Sequence, residues 1–271
     1  MTATGVLFDI DDTLVDLATA MTDALGGSLT EVLPPGASAL LGLGSGIPSM
    51  DDDGEARRRW LAFSEHFVPD VSGTYDDYLA GRLSFEEMRI LRLHRAAALL
   101  GVTVPDDVAH RWVERFAELA QTGVRPFPDV VQVLDLLDAH GIPYGAVSNN
   151  VEDFQRAKLG HAGLSRISVV VGTDTMGVTK PDPAIFREGV RQLGVAVADC
   201  WYVGDNPVVD HDGAVAAGLR GVYLDRGVMG SGSSGNSPVP VPARNPGERL
   251  TIHGLEELPL LLGLAASVES V

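Results

Sequence analysis

The stretch GVLFDIDDTL, residues 5–14, ends a short apolar run in acids at positions 9, 11 and 12. Residues 5–10 read as a short buried strand, and Asp9, Asp11 and Asp12 crowd its carboxyl end. Like charges gathered there repel one another and lose hydration. A divalent cation is the usual compensation. The pattern of the remaining chain decides where this strand sits in the fold.

Residues 15–122 read as helical. Leu17, Met21, Leu25 and Leu29 recur at spacing four. Ser84-Phe-Glu-Glu87 is a capping box opening a helix that Gly101 stops. A further helix starts near Pro105, with Val108, Trp112, Phe116 and Leu119 on one face. Residues 34–54, rich in Gly, Pro, Ser and Asp, read as a loop, and the part from 42 as a lid element. From Pro126 the pattern changes. Helices near 129–140, 151–162, 183–193 and 210–218 alternate with strand-like runs at 142–150, 167–173, 201–205 and 221–225. Such alternation predicts a doubly wound parallel sheet, an α/β Rossmann-like core. A last strand and short helix come from Leu250 onward, after a Gly/Ser/Pro-rich loop at 227–247. The first strand belongs with this later half. Residues 1–14 and 123–271 are therefore expected to form the core, with 15–122 inserted as a helical cap. An insertion after a strand's carboxyl end enters where α/β sheets bind ligands.

Composition narrows the functions. No apolar run is long enough to span a membrane, and no secretory signal pattern opens the chain. The single cysteine, Cys200, excludes an internal disulfide and fits a reducing cytoplasm, where it reads as a buried thiol. A formal net charge of -17 disfavours nucleic acid and anionic membranes as partners. An anionic substrate must then be held by local cations or a metal. Of 20 basic side chains only Lys158 and Lys180 are lysines, so each lysine position carries information.

Four pieces fall at carboxyl ends of expected strands or in loops beside them: Asp9 with Asp11, Ser148 with Asn149, Lys180, and Asp205 with Asp210. Carried by FDIDDTL (8–14), VSNN (147–150), TKPDPAIF (179–186) and VGDNPVVDHDGAVAAG (203–218), the chain resembles the haloacid dehalogenase-like hydrolase superfamily, and 15–122 resembles its first-type helical cap. The resemblance implies a magnesium-dependent phosphomonoesterase acting on a small phosphorylated metabolite. It implies Asp9 as nucleophile, forming an aspartyl-phosphate, and Asp11 as general acid and base. Thr13, Ser148 and Asn149 would bind the phosphoryl group. Lys180 would supply a compact positive charge. Mg2+ would be held by Asp9, the Asp11 carbonyl and Asp205. Asp210 would be an outer carboxylate near the metal or Lys180, or alternatively a helix N-cap. Asp12 reads as structural or solvent-facing, and His211 as a helix-surface histidine.

Alternatives stay open. A phosphosugar mutase keeps both acids. The dehalogenase branch resembles a version with no carboxylate at the second position, where Asp11 stands here. A phospho-acceptor module would be much shorter, and a degenerate binding protein would be expected to lose Asp9 or Lys180. The resemblance implies that the cap chooses the substrate, and Arg57–Arg59, Trp60, Tyr75, Tyr78, Arg89 and Arg92 are candidates there. Arg89 and Arg92 share a helix face.

Overall fold

The computed structural model describes residues 4–44, 46–49, 51–227 and 249–264. The expected Gly/Ser/Pro-rich loop at 227–247 therefore lies, beyond its first residue, outside the described residues. Among the described residues, six parallel strands form one sheet in the order β3-β2-β1-β4-β5-β6. They are β1 (Gly5–Phe8), β2 (Tyr144–Val147), β3 (Val169–Val171), β4 (Cys200–Gly204), β5 (Arg220–Leu224) and β6 (Thr251–Ile252). β1 and β4 are fully buried along their length, which is why both read as unbroken apolar runs rather than alternating ones. Strand order reverses direction between β1 and β4, so the sheet's switch point opens at their carboxyl ends. Phe8 pairs with Val203 across this junction and with Ala146 on the other side. That register brings Asp9, Ser148 and Asp205 to one rim.

The helices in chain order are α1 (Leu17–Val32), α2 (Pro35–Leu40), α3 (Glu55–Phe67), α4 (Thr74–Leu79), α5 (Phe85–Leu99), α6 (Asp106–Thr122), α7 (Val130–Ala139) and α8 (Glu152–His161). α9 (Thr173–Met176), α10 (Pro183–Leu193), α11 (Gly213–Ala217) and α12 (Leu258–Leu261) follow among the described residues. None is long and apolar enough to cross a membrane. The chain divides into two compact units, with crossings between Asp16 and Leu17 and between Val124 and Arg125. The first holds the sheet. Its core packs Leu7, Val147, Phe186, Val190, Tyr202 and Ala214 between strands and α10–α11. Cys200 is buried there, as expected, and burial pushes its thiol up to about 12.

The second unit, 17–124 among the described residues, is wholly helical. Its core stacks Trp112 on Phe116 at 4.9 Å, with Phe67 edge-on to both at 5.7 and 5.4 Å. Leu25 and Leu29 of α1 pack into the same cluster. The Ser84–Glu87 capping box is present, with bonds of 2.8 and 3.2 Å. The 34–54 loop contains α2, because Pro35 supplies a ready first helical residue after Pro34.

Most cap candidates have structural work. Arg57 and Arg58 donate to the Ser49 and Asp53 carbonyls, and Arg59 to those of Leu40 and Leu100. Trp60 lies in the core, and Tyr75 packs on Tyr78 at 5.6 Å. Arg92 is buried, neither surface charge nor free cation. It pairs with Asp70 at 3.1 Å, and Thr74 Oγ1 and the Tyr75 N–H also donate to that carboxylate. Arg89 stacks on the Phe85 ring at 4.0 Å.

Candidate active site

Asp9 directly follows β1, and its N–H donates to the Val203 carbonyl at 2.8 Å. The carboxylate is therefore anchored by the strand edge rather than by a loose turn. Asp205 follows Gly204, the last residue of β4. A Cβ at position 204 would lie 2.5 Å from the Asp210 carboxyl carbon, so glycine is required for Asp210 to close onto the strand. Asp12 adopts a left-handed backbone at φ 56, which aspartate tolerates, and its N–H bonds to Val15 at the turn.

Lys180 reaches this rim from the loop before α10. Its Nζ donates to Asp9 Oδ1 at 2.6 Å, to Asp210 Oδ1 at 2.7 Å and to Tyr202 Oη at 3.1 Å. The Tyr202 hydroxyl in turn donates to the Val147 carbonyl at 3.0 Å. Burial works against the Lys180 ammonium, yet Asp210 and Asp9 more than offset it and hold the group well above the usual lysine value. Burial pushes Asp9 up to about 7; Lys180 pulls it down, while Asp210 and Asp11 add to the rise. Asp205 is held well above the carboxylate range by burial and by the charges of Asp9, Asp210 and Asp12.

Asp210 is not a helix N-cap. A π-helical segment, Pro207–Asp212, starts earlier, and Asn206 caps it by accepting from the Val208 and Val209 N–H groups at 3.0 and 2.9 Å. Asp210 thus lies inside the segment, one oxygen accepting from the Asn206 N–H at 2.9 Å and the other facing Lys180. His211 is buried, not on the helix surface, with Nδ1 2.8 Å from Asp212. Asn149 makes contacts that its place after β2 does not announce. Its side-chain amide donates to the Lys180 carbonyl at 3.0 Å and accepts from the Lys180 N–H at 2.6 Å, so it fixes the lysine's backbone. The Thr13 hydroxyl is fully buried without a hydrogen-bond partner and does not join the cluster by such a bond.

Asp11 carries a partner that residue spacing did not assign. Lys158 Nζ of α8 lies 2.5 Å from Asp11 Oδ1, and Gln155 Nε2 lies 2.9 Å from Oδ2. Gln155 Nε2 also donates to Ser148 Oγ at 2.7 Å. The chain's two lysines therefore each hold one acid of the Asp-x-Asp pair.

A cation fits the donor set. Asp9, Asp205 and Asp210 present carboxylate oxygens within 4.8 Å of one another. Asp205 Oδ1 is buried with no hydrogen-bond partner, an uncompensated position in this setting. Fully ionised, the buried carboxylates of Asp9, Asp11, Asp205 and Asp210 outnumber the Lys158 and Lys180 ammonium groups by the charge of one divalent ion. Hard oxygen donors suit such an ion.

The family model for haloacid dehalogenase-like hydrolases matches residues 3–218. The chain belongs to this family. It is 30% identical over 224 residues to a phosphoglycolate phosphatase of Rhodospirillum rubrum, covering 82% of this chain and 80% of that protein. A phosphoserine phosphatase of Thermus thermophilus is 38% identical over 122 residues, but the match spans only 42% of this chain and 49% of that protein. Among solved structures, a magnesium-bound HAD-hydrolase of Bacillus subtilis superposes with a TM-score of 0.66, covering 97% of this chain and 100% of that one. At 16% identity that likeness speaks for the fold alone.

Proposed function

We propose that this family member is a magnesium-dependent phosphomonoester hydrolase whose nucleophile is Asp9. The observation that carries the reading is the Lys180 ammonium held between Asp9 and Asp210, beside the orphaned Asp205 oxygen. A carboxylate at a strand end, a fixed cation and a cation-binding cradle are the parts that phosphoryl transfer needs. Asp9 attacks phosphorus, forming a phosphorus–oxygen bond as the bond to the leaving oxygen breaks. Asp11, which must enter this step carrying a proton, passes it to that oxygen. Water then attacks the aspartyl-phosphate, Asp11 takes the water's proton, and Asp9 is released with inorganic phosphate. Mg2+ held by Asp9, Asp205 and the Asp11 carbonyl would neutralise phosphoryl charge. Lys180 stabilises charge on the transferring group, and Ser148 donates its hydroxyl to it. A small phosphorylated metabolite is the substrate class, and the relatives named for phosphoglycolate and phosphoserine make phosphorylated carboxylic acids the first to try.

Phosphate release from phosphoglycolate, phosphoserine, sugar phosphates and p-nitrophenyl phosphate, with Mg2+ or with chelator, tests the reading. Turnover that chelator abolishes supports it. A folded protein that hydrolyses none of these esters contradicts it.

The same arrangement predicts a pH-dependent stability. Asp9 and Asp205 hold protons more tightly when folded than when unfolded, because their folded values are raised. The Asp9 contribution is thus complete below the unfolded carboxylate value of about 4 and is lost as pH rises through about 7, and that of Asp205 is lost in the same direction. Metal-free protein should melt at progressively lower temperature between those limits, and Mg2+ should restore stability most at the upper end. Asp205→Asn should raise the metal-free melting temperature at neutral pH and shrink the Mg2+ effect. A flat, Mg2+-insensitive melting profile across this range would count against the buried acid cluster.

A further inference from the structure

Lys158 and Gln155 are among the most buried polar side chains of the first unit, at 2% and 0% exposure, and neither is part of the chemistry derived above. They stand three residues apart on α8 and so share one face. That face meets the end of β1. Lys158 holds one oxygen of Asp11 and Gln155 the other, at 2.5 and 2.9 Å. A carboxylate gripped at both oxygens by two donors from one rigid helix loses its freedom to rotate about its side-chain torsions.

Gln155 does a second thing. Its Nε2 divides its two protons between Asp11 Oδ2 and Ser148 Oγ. The amide cannot be turned round without setting its oxygen against a carboxylate oxygen, so Asp11 fixes which end faces Ser148. A serine oxygen that accepts from an amide N–H keeps its own proton to donate elsewhere. The helix therefore orients the proton-transfer group and the phosphoryl-binding hydroxyl together.

We propose that Lys158 and Gln155 are positioning residues: Lys158 acts through Asp11 to aim proton transfer at the leaving oxygen, and Gln155 links that aim to Ser148. The proposal rests on the phosphatase reading of Asp9 and Asp11. It differs from a purely structural role in one respect. A group that acts through the general acid matters most when the leaving group needs a proton. An alkoxide needs one, whereas p-nitrophenolate leaves without one.

The test measures kcat/KM for an alkyl phosphomonoester and for p-nitrophenyl phosphate, in wild type, Lys158→Met, Asp11→Asn and the double variant. Single turnover at high enzyme concentration keeps the slow variants readable. Lys158→Met should lower the alkyl value about 100-fold and the aryl value less than about 10-fold. In the Asp11→Asn background it should cause no further loss on the alkyl ester, since the group it acts through is gone. Gln155→Leu should raise KM as well, because Ser148 loses its fixed orientation. Should Lys158→Met fold poorly, Lys158→Arg keeps the charge and replaces the compact donor, and should still lose alkyl activity selectively. Equal losses on both esters, additive with Asp11→Asn, would overturn the positioning role and leave the phosphatase reading standing. Wild-type protein inactive on every ester with Mg2+ would remove both.

Discussion

Asp9→Asn should reduce phosphomonoester turnover by on the order of 10⁴-fold or more, the scale seen when a covalent nucleophile is removed. The amide nearly matches the carboxylate in size but offers no anionic oxygen to attack phosphorus. The fold should not suffer. Asp9 is buried and its carboxyl is pushed up to about 7, so its ionised form is a burden on the metal-free protein at neutral pH. Lys180 keeps its bonds to Asp210 and Tyr202 in the variant. Turnover and melting temperature should therefore separate: activity vanishes while metal-free stability holds or rises. Loss of both together would mean that Asp9 is a structural residue first.

Lys180→Met should produce the opposite pairing, with both properties falling. The ammonium is the cation between Asp9 and Asp210, at 2.6 and 2.7 Å. Its removal leaves two buried carboxylates facing each other, a loss of about 3–5 kcal/mol in stability by analogy with other broken buried pairs. Turnover should fall by about 10²–10³-fold as the fixed charge at the transferring group disappears. Lys180→Arg should not restore activity, because a planar guanidinium cannot replace one compact nitrogen donating to Asp9, Asp210 and Tyr202 at once. Denaturant unfolding and phosphate release measured on the same preparations check both parts. An Arg variant with wild-type turnover would show that only charge is needed at this position.

The parts of this arrangement that chain order controls were readable in the sequence. Strands alternating with helices after Pro126 imposed a parallel sheet, and a parallel sheet sends every strand's carboxyl end to one rim. Asp9, Ser148 and Asp205 had to meet once their strands did. The parts set by three-dimensional packing were hidden. Asn149 reads from the resemblance as a phosphate ligand, and only its place beside the 180 backbone shows the two bonds it makes there. Asn206-Pro207 is a helix-start pattern, a capping side chain before a proline, yet the neighbouring Asp210 competes for the same reading. The π-helical turn that draws Asp210 back to Lys180 leaves no mark in residue spacing. Lys158 did leave a mark. It is one of two lysines in an arginine-rich chain, but its burial against Asp11 depends on where α8 packs, which periodicity alone does not fix.

The proposed catalysis passes through a covalent bond between phosphorus and the residue 9 carboxylate, and trapping that bond is its most direct test. Protein in steady turnover of a phosphomonoester with Mg2+ is quenched in acid, then reduced with borohydride, which converts an acyl phosphate to the alcohol. Peptide sequencing by mass spectrometry should find homoserine at position 9, and only in samples that received both substrate and Mg2+. Homoserine at another aspartate, or active enzyme that never yields homoserine at position 9, would contradict the assignment of Asp9 as the nucleophile.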